Sequence, residues 1–221
     1  MQHAPKWALP AGVALCGVAG WTNAVGFLGV FHQAITHVTG TATMAAVAAA
    51  HGDLAATIAA GSIIGSFLGG AVIAGALVHG GEVHQGRRYG LALLLEALLL
   101  TLAWRLLSAG HSLGEYIAAI AAGLQNGLAT RVSGAVVRTT HITGLVTDIG
   151  LTIGAVVRGR ALDTPRFRLQ TLLVGGFLVG GFGGALHFGV VGTNTLLVPA
   201  AACIVLAIAA ATVPRPPPPP G

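Results

Sequence analysis

Six apolar runs dominate the sequence, and each is long enough to cross the roughly 30 Å hydrocarbon core of a membrane as an α-helix. They extend from Trp7 to Phe31, Leu54 to Val78, Tyr89 to Leu107, Leu113 to Thr130, Leu169 to Val191 and Leu196 to Val213. Charged residues make up only 8% of the chain, whereas about 25% is usual in soluble proteins. The period-two alternation of membrane β-strands is absent. The sequence therefore predicts an all-α polytopic membrane protein.

Two shorter apolar stretches, Thr39 to His51 and Thr143 to Val157, follow polar segments that contain Thr36 and His37 in one case and Thr140 and His141 in the other. As helices they would measure only roughly 18 to 22 Å. A lipid-facing helix tolerates such polar neighbours badly, whereas a loop that enters and leaves on one side of the membrane accommodates them. The pattern predicts two re-entrant half-helices.

The distribution of basic residues distinguishes this six-span prediction from one in which all eight stretches cross. With six spans and a cytoplasmic N-terminus, ten of the eleven lysines and arginines lie inside, and only Arg105 lies toward the outside. With eight spans, four arginines move outside and the asymmetry that normally orients membrane proteins nearly vanishes. We therefore expect six spans with both termini cytoplasmic, and keep two parallel four-helix repeats as the alternative. Because the basic residues lie between apolar runs, the net charge of +5 gives no support to nucleic-acid binding.

The chain is internally duplicated. Ala19 to Asn23 matches Ala122 to Asn126, and Thr36 to Gly40 matches Thr140 to Gly144, at offsets of 103 and 104 residues. A third block of glycines, Gly61 to Gly75, recurs with identical spacing from Gly175 to Gly189, at an offset of 114. Three spans in each half place the second half upside down relative to the first, as in many transporters. The predicted organisation is a cytoplasmic N-terminus (1–6), two inverted membrane repeats (7–108 and 109–213) and a Pro-rich tail (214–221).

The duplicated Thr-His-[Val/Ile]-Thr-Gly blocks are the strongest candidates for a binding site. Each precedes a predicted half-helix, whose first backbone N–H groups and positive dipole end would point into the membrane interior and attract an anion or a polar solute. The candidate ligands are His37, Thr39, Gly40, His141, Thr143 and Gly144. Alternatively, the threonines cap the half-helices and the histidines close a structural joint.

Further polar residues lie within the predicted spans and half-helices. Asn23 and Asn126 occupy equivalent places in the first span of each half, where they would line the path or bond between helices. Glu96 and Asp148 are candidates for proton coupling, because acids inside a membrane are frequently functional. The alternative for either acid is a structural carboxyl group that is neutral or paired with an arginine such as Arg138.

The segments Gly20-Trp-Thr-Asn-Ala-Val-Gly-Phe, His37-Val-Thr-Gly-Thr, Gly123-Leu-Gln-Asn-Gly and Thr139-Thr-His-Ile-Thr-Gly resemble signatures of the YoaK-like bacterial membrane proteins, a domain-of-unknown-function family. The resemblance extends from about Ala11 to Val213 and implies about six helices in the bacterial cytoplasmic membrane. Members of that family tend to have Asp at the position of Asn23 and Asn at that of Thr41. The missing acid weakens a proton or cation role at position 23.

Together these features predict a transporter or channel for a small polar or anionic solute, and not an enzyme. We expect the partners to be the lipid bilayer and the solute, with no cofactor and no metal, and leave a homo-oligomer open. One alternative is an intramembrane metal-dependent enzyme that uses His37, His141, Asp148 and Glu96, although no His-Glu-x-x-His motif is present. The other is a structural or sensory membrane protein without flux.

Overall fold

A computed structural model describes residues 8–29, 34–78, 86–133 and 138–212. The predicted N-terminal segment (1–6) and Pro-rich tail (214–221) lie outside the described residues. Within the described ranges the chain forms eight α-helices and a short 3₁₀ turn: α1 (Ala8–Leu28), α2 (Val38–Ala50), α3 (Leu54–Leu77), α4 (Gly86–Ser108), α5 (Leu113–Val132), α6 (Ile142–Val157), α7 (Thr164–Val191), the turn (Gly192–Leu196) and α8 (Leu197–Thr212). The all-α prediction is confirmed.

The helices coincide with the predicted apolar stretches, except at the start of α7. This helix begins at Thr164, five residues before the apolar run, because Asp163 caps it and Pro165 fits its first turn. The Asp163 carboxylate accepts a hydrogen bond from the Arg166 backbone N–H at 3.2 Å. In the same way, the Asp53 carboxylate at the start of α3 accepts one from the Ala56 N–H at 2.9 Å. The first turn of α7 therefore comes from the basic segment, residues 158–168, that precedes the apolar run.

The outer surface is strongly apolar. Large aliphatic side chains such as Leu68, Leu98, Val179 and Val190 are more than 60% exposed. By length and composition, four helical stretches of the described chain can cross a membrane: Leu9–Leu28, Leu54–Leu77, Arg88–Ser108 and Thr164–Thr212, the last of which comprises α7, the turn and α8. The chain is thus a multi-pass helical membrane protein.

Helix α5 does not meet the same hydropathy criterion, although the sequence predicts a span there. It is 20 residues long, but Gln125, Asn126 and Arg131 lower its hydropathy. Most of its residues from Ala118 to Ala129 are buried by other helices. A helix that is covered by protein can carry polar side chains that lipid would not accept.

Two pairs of parallel helices form the centre of the bundle. Helix α1 packs along α7, and α5 packs along α3. In both pairs the backbones touch through glycine: a Cβ atom at Gly180 would lie 2.0 Å from the Gly17 carbonyl oxygen, and one at Gly70 would lie 2.0 Å from the Ile120 carbonyl oxygen. Each pair takes one helix from each half of the chain, so the two halves interlock.

The glycine contacts correct the alignment of the third repeated block. Gly20 faces the Phe177 carbonyl and Gly123 faces the Phe67 carbonyl, so Phe67 corresponds to Phe177 and Gly70 to Gly180. The capping residues Asp53 and Asp163 are separated by the same 110 residues. The offset of 114 predicted from the glycine spacing is therefore wrong by one helical turn, because the glycines of α3 and α7 do not all serve the same contact.

The glycine stripe of α3 shows this difference. Cβ atoms at Gly61, Gly65 and Gly69 would meet no atom within 4 Å in the described structure. In α7, by contrast, Gly176, Gly180 and Gly184 all lie against the α1 backbone. Among the described residues, the α7 stripe therefore packs against a neighbouring helix, whereas the α3 stripe does not.

The contacts between the remaining long helices, α4 and α8, define the two ends of the bundle. Helices α4 and α8 run antiparallel, with Tyr89 near Ala207 in one buried cluster and Trp104 Nε1 donating a 2.7 Å hydrogen bond to Asn194 Oδ1 at the other end. Exposed arginines collect at the Tyr89 end, which we call the basic end: Arg88, Arg131, Arg158, Arg160, Arg166 and Arg168. The opposite end carries Arg105.

The two short helices begin inside the bundle. Helix α1 ends at the end opposite the basic end, and α2 starts at mid-depth and runs to that same end, where α3 begins. Helix α6 starts at mid-depth after α5 has reached the basic end, and α6 returns to the basic end, where α7 begins. Both helices end at a glycine with positive φ, Gly52 (73°) and Gly159 (79°), which permits the tight reversal into the next helix.

Candidate functional site

Buried hydrogen bonds fix the approach to α2. Asn23 Oδ1 of α1 accepts a hydrogen bond from the Thr36 backbone N–H at 3.2 Å. The Thr41 hydroxyl donates to the Ala34 carbonyl oxygen at 2.7 Å. Asn23, Thr36 and Thr41 are all at least 90% buried. The Asn23 amide oxygen therefore connects α1 to the segment that leads into α2.

His37 occupies the N-cap position of α2, and its side chain makes no capping hydrogen bond. Its half-buried ring packs edge-on against Phe177, with ring centroids 5.1 Å apart and planes at 79°. Phe177 lies at the midpoint of α7 (Thr164–Val191), so α2 starts at mid-depth. Thr39 and Gly40 in its first turn are exposed, and a Cβ at Gly40 would meet no atom within 4 Å.

The second Thr-His-[Val/Ile]-Thr-Gly block lies at the start of α6, where its side chains make different contacts. His141 also occupies the N-cap position without a side-chain capping bond, but its ring is exposed and lies over Gly144, where a Cβ atom would clash with the imidazole. Thr143 is exposed as well. Leu145 is the anchor of α6, since it is buried in a cluster with Cys16, Ala129 and Leu173.

Phe177 links the two half-helix starts. It contacts the His37 ring at the start of α2, and together with Ile142, the first residue of α6, it packs against the cluster around Leu145. The structure therefore brings the two Thr-His-[Val/Ile]-Thr-Gly blocks toward the same level of the bundle. Their N-terminal dipole ends supply positive potential there.

Asn126 and its neighbours lie between the halves. Gln125 Nε2 donates a hydrogen bond to the Leu15 carbonyl oxygen and thus joins α5 to α1. Among the described residues, Asn126 Oδ1 and Thr139 Oγ1 are buried without a hydrogen-bond partner. A buried polar atom without a partner costs free energy and commonly marks a functional or alternative contact.

The two predicted coupling acids have different surroundings. Glu96 is 1% exposed on α4, and the Cys203 thiol of α8 lies within hydrogen-bonding reach of its carboxyl group. The Asp148 side chain is 41% exposed, so other helices do not enclose it as they enclose Glu96. Its Oδ2 atom accepts hydrogen bonds from Arg166 at 3.3 Å and Gln170 at 3.0 Å. The arginine that pairs with Asp148 is thus Arg166, not Arg138.

Sequence reasoning missed a third buried acid and the aromatic residue beside the site. Glu115, in the first turn of α5, is 1% exposed and lies against Gly29 at the end of α1. Phe177 escaped notice because its repeat partner Phe67 is visible only at the offset of 110.

Within the residues that the structure describes, no group of three or more His, Cys, Asp or Glu side chains is arranged to hold a metal ion. His37, His141, Glu96 and Asp148 do not form a common cluster there. The arrangement offers helix dipoles, threonine hydroxyl groups, imidazoles and amide groups, which bind polar or anionic groups noncovalently.

Comparison with protein families gives one match, to a model described as a protein of unknown function (DUF1275), over residues 11–209. The chain belongs to the DUF1275 family. This confirms the resemblance to YoaK-like membrane proteins that the repeated motifs indicated. The DUF1275 match reaches from the first turn of α1 to the last turn of α8, so it includes both short helices, α2 and α6. Comparisons with curated proteins and with solved structures gave no match.

Proposed function

We propose that the chain crosses the membrane six times and contains two re-entrant half-helices, α2 and α6, in two inverted-topology repeats, α1–α4 and α5–α8. The helix directions support this arrangement, because α1 and α5 run in opposite directions, as do α3 and α7, and α4 and α8. The return of α2 and α6 to the end from which the chain entered also supports it. With the basic end inside, both termini are cytoplasmic in the bacterial inner membrane.

The proposed function is transport or channel conduction of a small polar or anionic solute through a midplane site at the two half-helix starts. The observation that carries it is the position of α2, whose N-cap residue His37 packs against Phe177 at the midpoint of α7. Exposed Thr39, Gly40, His141 and Thr143 lie near this level. Polar backbone at membrane depth is tolerated only where it is covered by protein or lines a water-filled cavity. A solute pathway supplies that water.

The charge of the proposed site favours neutral or negative solutes over cations. Two helix N-termini contribute positive partial charges. Residue 23 is an uncharged asparagine, and its side-chain oxygen already accepts a hydrogen bond from the Thr36 backbone N–H. The described acids lie elsewhere: Glu96 is enclosed between α4 and α8, and Asp148 is paired with Arg166 near the basic end. The proposed ligands therefore remain His37, Thr39, Gly40, His141, Thr143 and Gly144, with Asn23 and Asn126 beside the path.

The topology can be tested with single cysteines at the exposed positions His51 and His111, in a Cys16→Ala, Cys203→Ala background. With six spans both positions lie outside, whereas with eight spans both lie inside. We expect an impermeant maleimide to label both positions on intact cells. Arg160→Cys is the matched control, because it is inside in both arrangements. Labelling of positions 51 and 111 only in inverted vesicles would contradict the re-entrant half-helices.

Flux can be measured with purified protein in liposomes. Vesicles that contain valinomycin are placed in potassium salts of nitrate, formate, acetate or phosphate, and in parallel in glycerol or urea, and swelling is followed by light scattering. We expect at least one solute to enter about tenfold faster than in protein-free vesicles, and His37→Ala and His141→Ala to abolish that difference. His51→Ala is the matched control, because within the described part of the chain the His51 ring is hydrogen-bonded to the Val47 carbonyl oxygen of its own helix. Equal rates with and without protein for the whole panel would favour a structural or sensory role.

Proton coupling, if present in this cycle, is assigned to Glu96 rather than Asp148, since the Asp148 carboxylate is paired with Arg166. An imposed pH gradient then drives accumulation of the solute found above. We expect Glu96→Gln to abolish accumulation while solute exchange at equal pH persists, and Asp148→Asn to retain accumulation. Undiminished accumulation in both variants would exclude both acids as coupling groups.

A further inference from the structure

Four pairs of identical residues at the proposed site differ in their contacts. In the first half, Asn23 is bonded to Thr36 and His37 packs against Phe177. In the second half, the equivalent residues are Asn126, Thr140, His141 and Phe67. Asn126 Oδ1 has no hydrogen-bond partner among the described residues, and the His141 ring is exposed over Gly144. The residue types are the same in both halves, but their contacts differ.

The packing of the helices that carry these residues does not explain the difference in contacts. Gly20 meets the Phe177 carbonyl just as Gly123 meets the Phe67 carbonyl, with nearly the same distances of 2.0 and 1.9 Å to the position of a Cβ atom. The α1–α7 and α5–α3 frameworks are therefore equivalent, and Asn126 and Phe67 are already positioned as Asn23 and Phe177 are. Among the described residues, the contacts that differ are those of 34–37 and 138–141, which precede α2 and α6.

We propose that the two half-helix starts dock alternately, so that the protein is an alternating-access carrier rather than a channel. In this structure the α2 start is docked through Asn23–Thr36 and His37–Phe177, and the α6 start is undocked. In the second state, Asn126 Oδ1 accepts a hydrogen bond from the Thr140 backbone N–H, His141 packs against Phe67, and the first-half contacts open. The proposal rests on the proposed function, whose midplane site it describes in more detail.

Phe177 supplies the physical reason for alternation. It contacts His37 and also packs on the cluster that anchors α6, so a movement at one half-helix start changes the surface available to the other. Helix α2 lies between mid-depth and the end opposite the basic end, and α6 lies between mid-depth and the basic end. With α2 docked and α6 undocked, the proposal assigns this structure to the state in which the solute reaches the site from the basic end. Inverted repeats of identical chemistry can exchange conformations in this way.

Reciprocity between the halves is the property to test. Single cysteines replace His37 or His141 in the Cys16→Ala, Cys203→Ala background, and the rate of labelling by an impermeant maleimide is measured from each side. We expect Asn23→Ala to raise the rate at position 37 and to lower the rate at position 141, each by about fivefold. Asn126→Ala should have the opposite effect on position 37, because it removes a contact of the second state. Thr22→Ala is the matched control, since its buried hydroxyl group has no described partner.

Cross-linking provides a measurement that does not depend on the asparagine variants. The pairs His37→Cys with Phe177→Cys and His141→Cys with Phe67→Cys should both be linked by a short bifunctional maleimide, and the first link should prevent the second. The proposal would be overturned if positions 141 and 67 are never cross-linked. It would also be overturned if they are cross-linked while positions 37 and 177 are already joined. A labelling-rate increase at position 37 with no decrease at position 141 would overturn it as well.

These readouts contain no solute, so they are independent of the flux assay. Reciprocal labelling without flux would refute the proposed function and leave the alternating movement. Flux without reciprocity would identify a channel and overturn the alternating movement alone.

Discussion

Gly70→Ala should destabilise the protein by about 2 to 3 kcal/mol, whereas Gly69→Ala, one residue earlier, should be neutral or slightly stabilising. A Cβ atom at position 70 would lie 2.0 Å from the Ile120 carbonyl oxygen and 2.7 Å from the Leu124 nitrogen. Both are backbone atoms, so α3 and α5 must separate. At position 69 a Cβ atom has no neighbour within 4 Å, and alanine favours the helix by up to about 1 kcal/mol.

The comparison can be made by thermal or denaturant unfolding of detergent-purified protein, with monodispersity as a second readout. Two adjacent glycines of α7 provide an independent test. A Cβ at Gly180 would lie 2.0 Å from the Gly17 carbonyl oxygen, whereas one at Gly181 would have its nearest neighbour at an ordinary 3.6 Å. Equal stabilities of Gly70→Ala and Gly69→Ala would contradict the packing of α3 on α5.

Gly40→Leu should reduce solute flux by about tenfold or more without a loss of stability. Gly40 lies in the first turn of α2, and the space around the position of its Cβ atom is open. A leucine side chain there would occupy the space in front of the free N–H groups of the half-helix without displacing a described neighbour. Flux is measured in the liposome assay with the solute that gives the largest signal, and unfolding is measured in parallel.

Gly150→Leu is the matched control. Gly150 is also in a half-helix and also has open space around the position of its Cβ atom, but it lies in the middle of α6 (Ile142–Val157) rather than at its start. Retention of full flux by Gly40→Leu would place the pathway away from the start of α2. Loss of flux in both variants would indicate a general sensitivity of the half-helices.

The length and polarity of the apolar segments were sufficient to predict the helices. Helix α3 was expected from Leu54 to Val78 and extends to Leu77, and α6 ends at the predicted Val157. Such boundaries are predictable because lipid excludes unpaired backbone and charges, which confines turns to polar segments. The start of α7 was missed, since its first turn is polar and depends on the capping of Arg166 N–H by Asp163.

The register of the repeats and the state of the site required three-dimensional contacts. In helices as rich in glycine as α3 and α7, several alignments match equally well, and only the backbone contacts of Gly70 and Gly180 select the offset of 110. Similarly, identical motifs cannot reveal that His37 is half-buried while His141 is exposed. The burial of Glu115 also depends on a distant segment, the end of α1 at Gly29.

The glycine contacts between α1 and α7 and between α5 and α3 also affect biogenesis. The ribosome delivers α1 and α3 to the membrane well before α5 and α7, so the close-packed faces at Gly17 and Gly70 have no protein partner while the first half is being inserted. Neither half contains the helices that cover its own glycine faces. The newly made first half must therefore remain in lipid as loosely associated helices until translation supplies the second, and the order of synthesis differs from the order in which the core is assembled.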